Sequence, residues 1–204
     1  MRAKICGVTQ LSDAKAAIAH GAWALGFNFY LKSPRFIAPV AAKDIIQQLP
    51  ASVLKVGVVI DHPGNDLEAL MTSTGVDLLQ VYEDQPVPDS LKQRMILALQ
   101  IDNMNELPAA EILNQYGYLL LDAPKLQDGL MGGTGRLSNW ECAAQLAKQY
   151  RLLLAGGLHP QNIQAAIKAV RPYAVDVASG VQSSPGKVDH KLLEQFLRQV
   201  THEQ

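Results

Sequence analysis

The chain has little of several things, and each shortage removes a class of protein. Its 204 residues hold two cysteines, Cys6 and Cys142, too few and too far apart for a disulfide framework. With no signal-peptide pattern ahead of Cys6, the expected compartment is a reducing cytoplasm. No apolar run approaches the roughly 18 residues of a membrane span, so no membrane association is expected. The five histidines enter no H-E-x-x-H or C-x-x-C pattern, so no metal is expected. Charge of one sign is also missing. Lys and Arg total 18 against 19 Asp and Glu, a formal charge of -1, without a long run of either sign; this excludes a basic nucleic-acid or membrane-surface footprint and leaves a small molecule as the expected ligand.

What is present is a repeated beat. Short β-type runs alternate with helical patterns from end to end: Ala3 to Cys6, then helix over Leu11 to His20; "WALGFNFY", then helix over Val40 to Leu49. "VLKVGVVI" leads to a helix from Asp66 to Thr74, "VDLLQVY" to a short turn near Ser90, and "RMILALQI" to a helix from Leu107 to Gln115. "YLLLDA", "RLLLAGG" and "AVDVASG" precede helices over Trp140 to Tyr150, Pro160 to Val170 and His190 to Val200. Repeated βα units force parallel strands with helices outside, and eight of them close a sheet into one (β/α)8 barrel over residues 1–204. A doubly wound open sheet is the alternative.

Glycine clusters follow the last three of these strands: "GGTG" with Gly133 and Gly135, "AGG" with Gly156 and Gly157, and "SGV" with Ser179 and Gly180. Loops late in such a barrel commonly hold phosphate, because bare backbone approaches closely and aims N–H groups at the anion. Any one cluster also reads as a tight turn; three at one rim favour a phosphorylated ligand. Pro160 suits a first helical turn, which would put a helix N-terminus beside the seventh loop.

Side chains alternate along a strand, so Lys4 and Cys6 share a face, and Cys6 and Asp122 each end a strand at the catalytic rim. Each has a plainer reading, Cys6 as a small buried hydrophobe and Asp122 as a turn residue in "DAP". A thiol and a carboxyl facing a sugar phosphate would suit an isomerisation.

The blocks "KICGVT", "ALGFNFYLKSPRFI", "LLLDA" with "GGTG" and Trp140, "LAGGLHPQNI", and "DVASGV" followed by "PGKVD" stand in order from Lys4 to Asp189. Together they resemble the phosphoribosylanthranilate isomerases of tryptophan biosynthesis. That resemblance implies an Amadori rearrangement of N-(5'-phosphoribosyl)anthranilate to 1-(2-carboxyphenylamino)-1-deoxyribulose 5-phosphate, without cofactor or metal; a monomer is the separate expectation for its assembly. It also implies that Asp122 is the general acid that opens the ribose ring and Cys6 the base that takes the C2' proton. Arg35 of "KSPR" would grip the anthranilate carboxylate, a task for a planar bidentate donor.

These roles make opposite demands. Asp122 needs a raised pKa, which the apolar Leu119 to Leu121 favour by desolvation, and Cys6 needs a lowered one, toward which Lys4 contributes if its ammonium reaches the sulfur. The low-pH limb of activity would then track the thiol and the high-pH limb the carboxyl. Asp176, on the strand that closes against the first, is the expected ion partner of Lys4. Two features depart from the family pattern. Tyr82 and Glu83 stand where histidine and glycine are usual, and "LSNW" replaces Phe-Asp-Trp at a helix start that Ser138 or Asn139 can cap. The rival readings are a related phosphate-binding barrel enzyme with another phosphorylated substrate, and a ligand-binding barrel without turnover.

Overall fold

The computed structural model describes residues 1–60, 66–82, 86–124 and 137–201. The barrel strands are β1 (Arg2–Cys6), β2 (Ala24–Asn28), β3 (Leu54–Val58), β4 (Leu78–Tyr82), β5 (Met95–Leu99), β6 (Tyr118–Leu121), β7 (Leu152–Leu154) and β8 (Ala174–Val177). They are parallel and close in chain order, β8 returning beside β1 with Lys4 paired to Asp176. Closure rules out the open sheet. Outside lie α1 (Leu11–Ala19), α2 (Pro39–Ile46), α3 (Leu67–Thr74), α4 (Ala110–Leu113), α5 (Trp140–Ala147), α6 (Ile163–Val170) and α7 (His190–Thr201). The expected turn near Ser90 is a 3-10 segment, Asp89–Arg94.

Three departures from the expected elements have local causes. The helix expected from Leu107 shrinks to the single turn α4, because Pro108 disfavours helical backbone at Leu107 and the chain turns helical only beyond Ala109. Pro160 does not open α6. Asn162 accepts from the His159 N–H at 2.9 Å and donates to Gly157 O at 2.9 Å, which holds residues 160–162 in a turn ahead of the helix. The loop after β8 contains a small hairpin, β9 (Gln182–Ser184) with β10 (Lys187–Val188), too short to leave a periodic trace.

Two shells of side chains follow from strand alternation. One fills the barrel, with Ala24, Val56, Leu78, Ile96, Leu120 and Leu153 among its buried members. Trp23, Tyr118 and Tyr173, with ring centroids 5.7 to 6.1 Å apart, close its N-terminal end, and the Arg2 guanidinium lies 4.4 Å from the Tyr173 centroid. The other shell packs strands against helices. In α7 the buried positions Leu193, Phe196, Leu197 and Val200 make one i, i+3, i+4, i+7 stripe. Asp189 caps this helix, its Oδ1 accepting from the Lys191 and Leu192 N–H groups. Asp13 of α1 accepts from the Val188 N–H and meets the His190 ring at 2.8 Å, so the last helix is tied to the first.

Phe196 is fully buried in the stripe that packs α7 against the barrel. Phe196→Ala should lower unfolding free energy by about 3–5 kcal/mol, read from urea unfolding with an unchanged m value.

Candidate active site

The site is built over a buried charge. Lys4 points into the barrel and is 0% exposed; its ammonium donates to Asp176 Oδ1 at 2.8 Å and to Gln80 Oε1 at 3.0 Å. The expected ion pair is present, with Gln80 as a third member. Burial is the largest single influence and lowers the ammonium's pKa, but the Asp176 carboxylate and the Cys6 sulfur together outweigh it and the net shift is upward, so Lys4 is a fixed positive charge.

Cys6 lies one step above Lys4 on the same face of β1. Beside it Gly26, paired with Cys6 across β1 and β2, leaves the space both side chains use: a methyl group there would sit 2.9 Å from Cys6 Sγ and 3.3 Å from Lys4 Cε. The cation therefore does reach the thiol's surroundings. Its effect is smaller than expected, however. Burial pushes the Cys6 thiol up, Lys4 pulls it down, Asp176 pushes it up again, and the net shift is upward. The expected lowering is corrected accordingly: the pull has the right sign and desolvation exceeds it.

Asp122 follows β6 at the same rim. Burial raises its carboxyl to about 6, with Asp176 adding to the shift; the Ala123 N–H, donating to Oδ1 at 2.8 Å, and Lys4 oppose it. This matches the direction that an acid needs. Tyr82, the last residue of β4, is buried in the same interior cluster. Burial, followed by the charges of Asp122 and Cys6, raises its phenol, so it is a neutral donor across the working range. Glu83 lies outside the described residues.

Arg35 reaches the rim from the loop after β2. Its Nε donates to Gln182 Oε1 at 2.8 Å, and Gln182 Nε2 donates to Cys6 O at 3.4 Å. Its methylenes lie on Gly7, where a Cβ would come within 2.6 Å of Arg35 Cδ and φ is +78°. Gly7 thus lets the chain turn away from Cys6 and gives the arginine stem a flat place to cross. Gln182 was not foreseen; it sits in the hairpin within "SGVQSSPGKVDH", and no motif in that stretch singles it out.

Two of the three glycine loops meet. Gly156 and Gly157 follow β7 with φ of +85° and +59°, backbone that favours glycine. Ser179 and Gly180 open a 3-10 turn, Ser179–Val181, after β8. A Cβ on Gly180 would fall 1.9 Å from Leu158 O, so the β8 loop rests directly on the β7 loop. Gly133 and Gly135 lie outside the described residues. At the start of α5, Asn139 is the cap, accepting from the Glu141 and Cys142 N–H groups, while Ser138 donates to Ala155 O at 2.7 Å. Among the described residues no group of three or more His, Cys, Asp or Glu is placed to hold a metal, and no helix is long and apolar enough to cross a membrane.

A closed parallel barrel with a thiol, a carboxyl and a guanidinium gathered at the C-terminal rim is the frame of a TIM-barrel enzyme. Residues 3–199 match the family model described as N-(5'-phosphoribosyl)anthranilate (PRA) isomerase. A relative of that name from Geobacter sulfurreducens is 38% identical over 207 residues, covering 97% of each chain. The crystal structure of phosphoribosyl anthranilate isomerase from Thermus thermophilus superposes with TM-score 0.83 at 34% identity, covering 100% of both chains. A phosphoribosyl anthranilate isomerase in complex with reduced 1-(o-carboxyphenylamino)-1-deoxyribulose 5-phosphate superposes with TM-score 0.80 at 32% identity, covering 98% of this chain and 97% of the other. The chain belongs to the N-(5'-phosphoribosyl)anthranilate isomerase family.

The balance at Cys6 is directly measurable. Alkylation of Cys6 by iodoacetamide, followed by peptide mass across pH 7 to 11, should titrate above the ordinary thiol value. Lys4→Met removes the opposing cation, so its profile should move further up and its rate at pH 8 should fall. An unchanged profile would mean that the ammonium does not act on the sulfur. The same variant leaves Asp176 without its partner and should lose about 3–5 kcal/mol of stability.

Proposed function

We propose that this barrel isomerises N-(5'-phosphoribosyl)anthranilate to 1-(2-carboxyphenylamino)-1-deoxyribulose 5-phosphate by acid-base catalysis from Asp122 and Cys6. The observation that carries the reading is one rim on which a buried carboxyl near pKa 6 and a thiol stand over the same fixed cation, Lys4. Asp122 gives its proton to the ribose ring oxygen, the C1'–O bond breaks, and the anilino nitrogen's lone pair forms the C1'=N iminium. The Cys6 thiolate removes the C2' proton; the electrons of that bond form C1'=C2' and neutralise the nitrogen. The enol then loses its O2' proton and gains one at C1', which leaves the C2' ketone. Atoms and charge balance without a redox partner, and solvent exchange resets both groups.

Arg35, oriented by Gln182, takes the anthranilate carboxylate. The amides of Gly156, Gly157, Ser179 and Gly180 take the phosphate, with Gly133 and Gly135 assigned to the same end by their motif. Every named group comes from one chain, which suits a monomer, and the phosphorylated metabolite suits a cytoplasmic enzyme. Loss of anthranilate fluorescence on adding freshly made substrate tests the activity; no loss would reject the reading.

The pKa order changes the expected pH profile. Activity needs Asp122 protonated and Cys6 ionised, yet Asp122 titrates at about 6 and Cys6 above its ordinary value near 9. The competent form is a minority of the free enzyme. In log(kcat/KM) against pH, the thiolate population rises tenfold per pH unit until Asp122 begins to ionise. The acidic break therefore belongs to the carboxyl and the alkaline break to the thiol, the reverse of the sequence-based expectation. Asp122→Asn should remove the break near 6, and Cys6→Ser the alkaline one. Each should lower kcat by about 10²- to 10⁴-fold or more while a product analogue still binds. Near-wild-type kcat in either variant would mark that residue as structural.

A further inference from the structure

Gln100 follows β5 and has no role in the account so far. Leu99 and Ile101 on either side of it both belong to the shell between strands and helices, so alternation turns Gln100 to the inside of the barrel. Ala98 pairs with Leu120 and Leu99 with Leu121, and the Asp122 N–H donates to Leu99 O at 3.0 Å. Carried one step further, this register sets Gln100 beside Asp122. Both polar atoms of its carboxamide, Nε2 and Oε1, are buried with no hydrogen-bond partner among the described residues. Proteins seldom keep such a group, because each buried unmet donor or acceptor opposes folding. An apolar side chain of the same shape would fill the space without that penalty.

We propose that Gln100 is a substrate-positioning residue that hydrogen-bonds the sugar hydroxyls next to the carboxyl that opens the ring. The inference rests on the functional reading above and extends it to a residue outside the acid-base pair and the phosphate loops. The unmet groups identify the ligand chemistry. A phosphate or carboxylate could only accept from Nε2, would leave Oε1 empty, and would lie against Asp122 and Asp176. A hydroxyl both donates and accepts, so two neighbouring hydroxyls of a pentose give each polar atom of the carboxamide a partner. The residue as a whole is partly exposed while its amide atoms are covered. Rotation about its own side-chain torsions brings the amide to the substrate, a motion far faster than turnover.

Gln100→Met and Gln100→Glu test this. Gln100→Met keeps the volume and removes the orphan atoms, so the ligand-free protein should melt at a higher temperature while kcat/KM falls about 10- to 100-fold, mostly through KM. A substrate made from the 3'-deoxy sugar should be poorer than the natural one for the wild type and much less so for Gln100→Met. Gln100→Glu puts a second carboxylate beside Asp122 and should move the break near pH 6 upward; a side chain turned away from Asp122 would leave that break in place. Unchanged kcat/KM in Gln100→Met, a melting temperature that does not rise, or an unmoved break in Gln100→Glu would each overturn the proposal. A wild-type protein without turnover would instead overturn the functional reading, and the melting temperature of Gln100→Met would then decide alone whether the amide is an orphan kept against stability.

Discussion

The barrel is organised around one buried cation. An ammonium taken wholly out of water is costly, and Lys4 is tolerated only because Asp176 and Gln80 meet it at hydrogen-bond distance. Lys4 and its two partners come from three strands, β1, β4 and β8, so the charge can be satisfied only when the sheet has closed with β8 in register against β1. A slip of one residue would turn Asp176 out of the barrel and leave Lys4 alone. Apolar packing elsewhere in the interior tolerates many arrangements; this contact tolerates one. It fixes closure, and the groups set on it inherit a defined geometry.

The same cation ties structure to chemistry. Cys6 and Asp122 both feel Lys4 and Asp176, and in each case burial is the larger influence. Desolvation favours the neutral form of a thiol and of a carboxylic acid alike. It therefore prepares Asp122 and works against Cys6. No placement of one lysine could serve both residues, since a cation strong enough to ionise the thiol would also ionise the acid across the rim. The arrangement raises the carboxyl's pKa and leaves the thiol within reach of the cation; in the proposed reaction, that suits a proton removed from a C2' already acidified by the iminium.

How much of this was legible in the chain depends on the scale of the cause. Eight βα units, the closing register and the Lys4 to Asp176 pair follow from patterns repeated over whole strands, and these stood in the sequence. So did Cys6 and Asp122 as strand-end residues, and the raised carboxyl of Asp122, whose apolar neighbours are adjacent in the chain. The net direction at Cys6 was not legible, because desolvation at that point is set by β2, β8 and the Arg35 loop rather than by its own strand. Gln182 was hidden for a related reason. A hairpin with strands of three and two residues carries no period, and the hydrogen bond that gives Gln182 its importance joins residues 147 apart. Pro160 misled in the opposite way: a residue well suited to begin a helix was held outside it by Asn162, a side-chain effect that propensity does not contain.

The two ends of the barrel divide stability from reactivity. At the N-terminal end Trp23, Tyr118 and Tyr173 interlock under Arg2 and Arg151, contacts that seal the interior and need no freedom. At the other end nearly every group is held in a state that favours chemistry over stability. The carboxyl of Asp122 is desolvated, the Gln100 amide has no partner among the described residues, and Gly156 and Gly157 take left-handed backbone. Such a rim would unravel on a loose scaffold. Lys4, joined to Gln80 of β4 and Asp176 of β8 directly beneath, sets that rim on a closed sheet, so the positions of its side chains depend on strand register rather than on the loops.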